Sequence, residues 1–164
     1  MAEDLINTPS HYHKGGIDVI TILEKRFGKE ASRGFFLGNV LKYILRYPDK
    51  GGVSSLEKAR FYLEALINNV KGKEYVQKTE GFKEEAEALP PWHYRNEEIN
   101  TSMILNHKFG PVHLKAFELG NIIDLLLKFH GEGELPAYEE HISHLEEAQF
   151  HLDMLIQSEK GEEE

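Results

Sequence analysis

The densest set of chemically useful side chains lies in Gly38-Asn39-Val40-Leu41-Lys42-Tyr43-Ile44-Leu45-Arg46. At about 100° per residue on an α-helix, Asn39, Lys42, Tyr43 and Arg46 share one arc of about 100°. An amide, an ammonium, a phenol and a guanidinium on one strip can grip a phosphate and stack on, or hydrogen-bond, a ring. Leu37, Val40, Leu41, Ile44 and Leu45 form the opposite, apolar face. The competing reading of the strip is a solvated helix surface beside a core stripe. The turn Tyr47-Pro48-Asp49-Lys50-Gly51-Gly52 adds Lys50 on a flexible loop, and Lys58 and Arg60 follow on the next helix. Such cations could cover a transferring phosphoryl group. Upstream, His11 can donate to a phosphate and Tyr12 can stack on a base, unless the tyrosine simply packs and the histidine caps the backbone. Gly15-Gly16, ahead of a helix, could admit an anion at its N-terminus.

Other chemistries find little support. The sequence has no cysteine, which excludes disulfides, thiolate metal sites and cysteine nucleophiles. It lacks the Gly-x-x-x-x-Gly-Lys-Ser/Thr phosphate loop, the Gly-x-Gly-x-x-Gly turn and the His-Glu-x-x-His zinc motif. The paired acidic motifs of the all-α nucleotide pyrophosphohydrolases are not present in good order. His141, His144, Glu147 and His151 recur at spacings of three and four on the last helix, where they could bind a divalent metal for nucleotide hydrolysis. Solvated histidines on an acidic helix explain them more simply, and no metal ligand is assigned.

An internal repeat sets the architecture. Residues 8–47 match residues 90–129 at 13 of 40 positions, among them Pro9/Pro91, His11/His93, Tyr12/Tyr94, Phe27/Phe109, Gly28/Gly110, and Leu37-Gly38-Asn39 against Leu119-Gly120-Asn121. After a seven-residue insertion, Glu57–Leu63 aligns with Glu146–Leu152. The chain therefore reads as a first helical repeat over 8–78, an acidic linker over 79–89, a second repeat over 90–158 and a disordered acidic tail over 159–164. Each repeat reads as three helices. In the first they are Ile17–Phe27, about Lys29–Tyr47, and a third capped by Ser54 or Ser55 with Leu56, Ala59, Leu63, Leu66, Ile67 and Val70 as its stripe. Pro111 suits the start of the second repeat's middle helix, and Gly131 and Gly133 its end. The expected fold is all-α: a tandem, pseudo-twofold pair of three-helix units packed into one bundle.

The second repeat keeps the apolar frame and loses the cations. Lys42 becomes Asp124, Tyr43 becomes Leu125 and Arg46 becomes Lys128. The charge of the whole chain divides the same way. Its 164 residues (18.9 kDa) carry a net −9. Residues 1–78 hold 13 Lys/Arg and 9 Asp/Glu, a net +4, and residues 79–164 hold 6 and 19, a net −13. The excess of acid argues against general nucleic-acid binding and leaves the first repeat able to attract a small anion. No apolar run approaches the roughly 18 residues that span a bilayer, so no membrane association is expected. The acidic start lacks the features of a signal peptide, which leaves the cytoplasm as the expected location.

Pro9-Ser10-His11-Tyr12, Ile17-Asp18-Val19-Ile20, Gly34–Arg46, Lys50-Gly51-Gly52 and Leu56–Leu63 resemble a family of small bacteriophage proteins whose best-known member is a nucleotide kinase without a phosphate loop. The resemblance is strong over 9–67 and degenerate over 91–156. It implies a phage or prophage protein, acting in the host cytoplasm, that binds a nucleotide or other small phosphorylated ligand and transfers a phosphoryl group to a deoxynucleoside monophosphate. The family motif marks the positions, and chemistry suggests their roles. Lys42, Arg46 and Lys50 would stabilise the transfer. His11 and Asn39 would hold phosphates, Tyr12 and Tyr43 would contact base or sugar, and Lys58 and Arg60 would complete the ligand contacts. Mg accompanying a nucleotide is the one cofactor this implies. Pro48-Asp49 departs from the family's usual turn, and the second repeat lacks the full motif. If turnover needs two intact copies, the chain binds without turning over, as a sequestering or anti-defence protein; a second copy of the chain or a host protein would then be its partner.

Overall fold

Helices are the only regular elements among residues 18–75, 101–129 and 137–161, the parts of the chain that the computed structural model describes. The chain is all-α, and it divides into two compact units, 1–87 and 88–164. That division falls inside the expected linker, whose own residues lie outside the described ones, as do His11, Tyr12, Gly15, Gly16, Gly131 and Gly133.

In the first unit, Asp18 starts the helices. Its backbone is extended and its carboxylate accepts a hydrogen bond from the Thr21 amide at 2.7 Å, the arrangement of an N-cap. Helix α1, Val19–Ile22, therefore begins two residues later than the periodicity predicts, and it runs into a π-helical turn, Leu23–Phe27. Gly28 breaks the chain direction with φ 87° and ψ 172°, a conformation that costs a side-chain-bearing residue about 1–2 kcal/mol. Helix α2, Lys29–Arg46, follows, then a turn, then α3, Gly52–Val70.

Helices α2 and α3 pack through Phe36, Val40 and Ile44 of the first and Leu56, Ala59, Leu63, Leu66, Ile67 and Val70 of the second, all buried. The α3 stripe is the expected one. On α2 the core is narrower than the apolar sequence pattern. Leu37 and Leu41 are half-buried, and Leu45 is 66% exposed. The core line is set by Phe36, Val40 and Ile44, so the leucines on its far flank outnumber what one partner helix can cover.

A polar network closes the end of the unit where α1, the start of α2 and the end of α3 meet. Glu24 accepts from Asn69 Nδ2 at 3.0 Å and from the Tyr75 amide at 3.2 Å. Arg33 Nε donates to Asn69 Oδ1 at 2.9 Å, and the Tyr75 hydroxyl donates to Asp18 at 2.9 Å. Burial first, and then the Asp18 carboxylate, push the Tyr75 phenol well above its ordinary value. A phenol pKa raised by folding contributes stability below the unfolded value of about 10, and that contribution is lost as pH climbs from there towards the folded value. The first unit should therefore lose stability in strong alkali, and Tyr75→Phe should flatten that part of the stability–pH curve. Urea melts between neutral and strongly alkaline pH check this, and parallel curves for the two proteins would sink it.

The second unit follows the same element order. Helix α4, Thr101–Phe109, lies 82 residues after Val19–Phe27, and α5, Pro111–Lys128, lies 82 after Lys29–Arg46. Pro111 occupies the first turn of α5 as expected. Gly110, with φ 86° and ψ 174°, takes the conformation of Gly28. Helix α6, Ala137–Lys160, packs on α5, and α4 also contacts α5. Helix α6 runs two residues into the expected tail, because Glu159 pairs with Lys115 at 3.1 Å on half-buried ground.

Candidate functional site

The strip on α2 meets α3 along one flank of the core. Tyr43 stacks on Tyr62 of α3, with ring centroids 5.8 Å apart and planes 13° from parallel. Phe35 meets Tyr62 edge-on at 5.8 Å, so an aromatic shelf bridges the two helices. Two cations lie against Tyr43. The Arg46 guanidinium carbon is 4.4 Å from the ring centroid, and Lys42 Nζ is 4.9 Å from it. Both distances suit cation–π attraction, worth about 0.5–1 kcal/mol each at such a partly open site.

Arg46 is held from a second side. Its Nε donates to Ser55 Oγ at 3.3 Å, and Ser55 Oγ donates to the Lys50 carbonyl at 2.8 Å. Ser55 is buried. It does not cap α3 as expected from the sequence, and neither does Ser54; the cap position is Gly51, in a left-handed conformation (φ 90°). Helix α3 thus begins at Gly52, which frees Ser55 to tie the end of α2, the turn and the start of α3 together. A Cβ on Gly51 would collide with Ser55 Oγ and would also carry the left-handed penalty. Gly51→Ala should destabilise the first unit by about 1–3 kcal/mol, measurable by chemical denaturation. Unchanged stability would show that the turn can re-form without Ser55.

The other expected residues fall around this shelf unevenly. Asn39 Nδ2 donates to the Phe35 carbonyl at 2.8 Å, so that end of the amide serves its own helix. The Tyr43 ring supports Arg46, Lys42 and Tyr62, which makes it a shelf for cations rather than an open stacking face. Lys42 and Lys50 are exposed, and Arg46 and Lys58 are half-buried. Lys58 sits one turn from Tyr62 on the same side of α3. Arg60 lies about 160° around α3 from Tyr62, on the far flank of the core, and is set apart from the strip. The structure thus brings Lys42, Tyr43 and Arg46 together with Ser55 and Tyr62, two residues that sequence reasoning passed over. Ser55 was readable only as a cap, and Tyr62 only as part of a family motif.

In the second unit the equivalent strip has lost its net positive charge. Asp124 and Lys128 neutralise each other at 2.6 Å across one helical turn, and Asp124, with a smaller contribution from Glu147, raises the Lys128 ammonium above its usual value. The same unit holds a buried polar cluster that spacing did not reveal. Glu118 is fully buried and accepts from Ser102 Oγ at 2.8 Å, and its other oxygen lies 2.5 Å from His151 Nδ1. The usable signal was the repeat itself: Ser102, Glu118 and His151 stand where the first copy has Ile20, Phe36 and Tyr62. Because the serine hydroxyl serves the carboxylate and not the imidazole, the trio is not a hydrolytic triad. His151 is thereby withdrawn from the histidine stripe on α6. No group of three metal-binding side chains converges among the described residues.

The family of proteins of unknown function DUF3310 matches residues 6–64, which span the shelf and its turn. Beyond that likeness, no curated protein and no solved structure matches the chain. No helix among the described residues is long and apolar enough to cross a membrane.

Proposed function

We propose that the first unit binds a nucleotide or another small phosphorylated ligand. The observation that carries this is Arg46, stacked on Tyr43 and oriented by buried Ser55, with Lys42 beside it and Lys50 on the adjoining turn. A guanidinium fixed in this way loses little further freedom when its fork meets a phosphate, and two mobile ammonium groups can close on the remaining oxygens. The sequence resemblance extends the proposal to phosphoryl transfer onto a deoxynucleoside monophosphate. In that reaction Lys42, Arg46 and Lys50 would offset the charge that spreads over the transferring group, and Mg would accompany the donor nucleotide. Asn39 and Lys58 would act on the ligand's periphery, His11 and Tyr12 would take the roles that the resemblance implies, and Arg60, on the far flank of the core, would take no part.

Calorimetry with each deoxynucleoside monophosphate, followed by incubation with a triphosphate donor and Mg, tests both levels. Binding with diphosphate formation supports the transferase. Binding without product supports the second reading, a non-catalytic binder that sequesters a nucleotide or occupies a host protein. The altered strip of the second unit favours that reading, since Asp124 and Glu147 stand where Lys42 and Lys58 stand in the first. If no phosphorylated ligand binds, both readings fall.

A further inference from the structure

Three positions change together between the units. In the first unit Ile20 and Phe36 are buried apolar residues of α1 and α2, and Tyr62 of α3 meets α2 edge-on through Phe35, which itself meets Phe36 edge-on. Their counterparts Ser102, Glu118 and His151 join α4, α5 and α6 through one buried carboxylate. A buried carboxylate is tolerated only when its partners are present, and an apolar core has no partner to offer it.

We propose that this network is a pairing key, which makes α5 accept its own α4 and α6 and refuse the look-alike helices of the other unit. The need for such a key follows from the chain. The middle helices are both 18 residues long and the third helices align over Glu57–Leu63 and Glu146–Leu152, and exchange of equivalent helices is the characteristic misassembly of repeated domains. With α3 laid on α5, Glu118 would face Tyr62, whose one donor sits at the far end of the ring, so that ring edge and not an N–H stands where the imidazole Nδ1 meets the carboxylate. With α1 in place of α4, it would face Ile20, which donates nothing. With α6 laid on α2, His151 would meet Phe36. Each crossing strands a polar group in the core, so each is disfavoured beyond its loss of packing. The inference is independent of what the first unit binds.

The absence of native cysteine allows a direct test by disulfide trapping. Lys128 of α5 lies within electrostatic reach of Glu147 of α6, and Lys58 of α3 is the counterpart of Glu147. Lys128→Cys paired with Glu147→Cys reports native pairing, and Lys128→Cys paired with Lys58→Cys reports crossed pairing. Each pair is placed in the full chain, which is refolded from denaturant under oxidising conditions and mapped by peptide analysis. In the natural background the native disulfide should dominate, and the crossed one should not exceed its level in never-unfolded protein. Two backgrounds erase the difference between the units: Ser102→Ile/Glu118→Phe/His151→Tyr, and Ile20→Ser/Phe36→Glu/Tyr62→His. In either, the crossed disulfide should rise roughly tenfold, as expected when two competing partners become alike. An unchanged crossed yield in both backgrounds overturns the proposal. So does failure of both to regain helical structure, because each trio already packs in the other unit.

Discussion

Replacing His151 by alanine is expected to unfold the second unit at neutral pH. The partner left behind, Glu118, is fully buried, and its remaining bond from Ser102 satisfies only one of its two oxygens. Removing the partner of a buried, hydrogen-bonded polar group costs about 1–3 kcal/mol, and more for a charged one, because the survivor keeps its desolvation and loses its compensation. Loss of the imidazole also opens a cavity beside Phe117 and Phe150, whose rings pack against it edge-on, which adds about 1 kcal/mol or more. Small domains are held by about 5–15 kcal/mol in total, so a unit of this size has little left. Circular dichroism should show part of the helical signal lost, with the remainder melting as the first unit does. Glu118→Phe combined with His151→Tyr should recover most of the loss, since those residues already pack at the equivalent places in α2 and α3. A cost below about 1 kcal/mol for His151→Ala would mean that Glu118 finds other hydrogen bonds once the imidazole is gone, and the pair would lose its structural weight.

The same residues show where reading the sequence succeeds and where it stops. Helix bounds were legible because punctuation is local. Gly28, Gly110 and Pro111 act through their own backbone, and the stripe from Leu56 to Val70 carries its own period. The start of the first helix and the cap of the third were misplaced because Asp18 and Ser55 take roles that depend on partners elsewhere in the chain. Asp18 both caps α1 and holds Tyr75, 57 positions away, and Ser55 serves Arg46 and the Lys50 carbonyl. The core line of α2 was misjudged at Leu45 for a related reason. An apolar pattern says which faces can be buried, and only the partner helix decides which ones are. Glu118 was missed because a single buried acid leaves no periodic trace; what exposes it is the apolar residue at the matching place in the other copy.

These limits bear on the candidate site as well. Spacing alone placed Asn39, Lys42, Tyr43 and Arg46 on one arc, and the structure keeps them there. It could not say that Tyr43 would be occupied by Tyr62 and by the cations themselves. The chemistry thereby shifts from ring recognition by Tyr43 towards anion recognition by what Tyr43 supports. The second unit underlines the point. It keeps Asn121 in place of Asn39 and Phe117 in place of Phe35, but Leu125 replaces the shelf and Asp124 cancels Lys128. What the second copy lacks is the oriented guanidinium.

Arg46→Lys is therefore the most informative change to the proposed ligand site, and it should weaken binding of a deoxynucleoside monophosphate about tenfold or more. Lysine keeps the charge and loses three things: the planar fork, the stack on Tyr43 and the Nε donor to Ser55. A charge-assisted hydrogen bond contributes about 1.5–3 kcal/mol, and 1.4 kcal/mol is a factor of about ten in affinity, so loss of even one arm of the fork is visible by calorimetry. Arg46→Ala removes the charge as well and should cost about 100-fold or more. Lys42→Ala should behave differently. Lys42 is exposed and acts as a mobile point charge, so its removal should cost less than tenfold, by an amount that shrinks as salt is raised through the physiological range. The Arg46→Lys deficit should survive the added salt, because it comes from geometry and not from net charge. Equal binding by the Arg46→Lys variant and the natural protein would reduce the site to a diffuse patch of positive charge. In that case the contact between Arg46 and Ser55 would belong to the turn alone, and the first unit would have no oriented anion site.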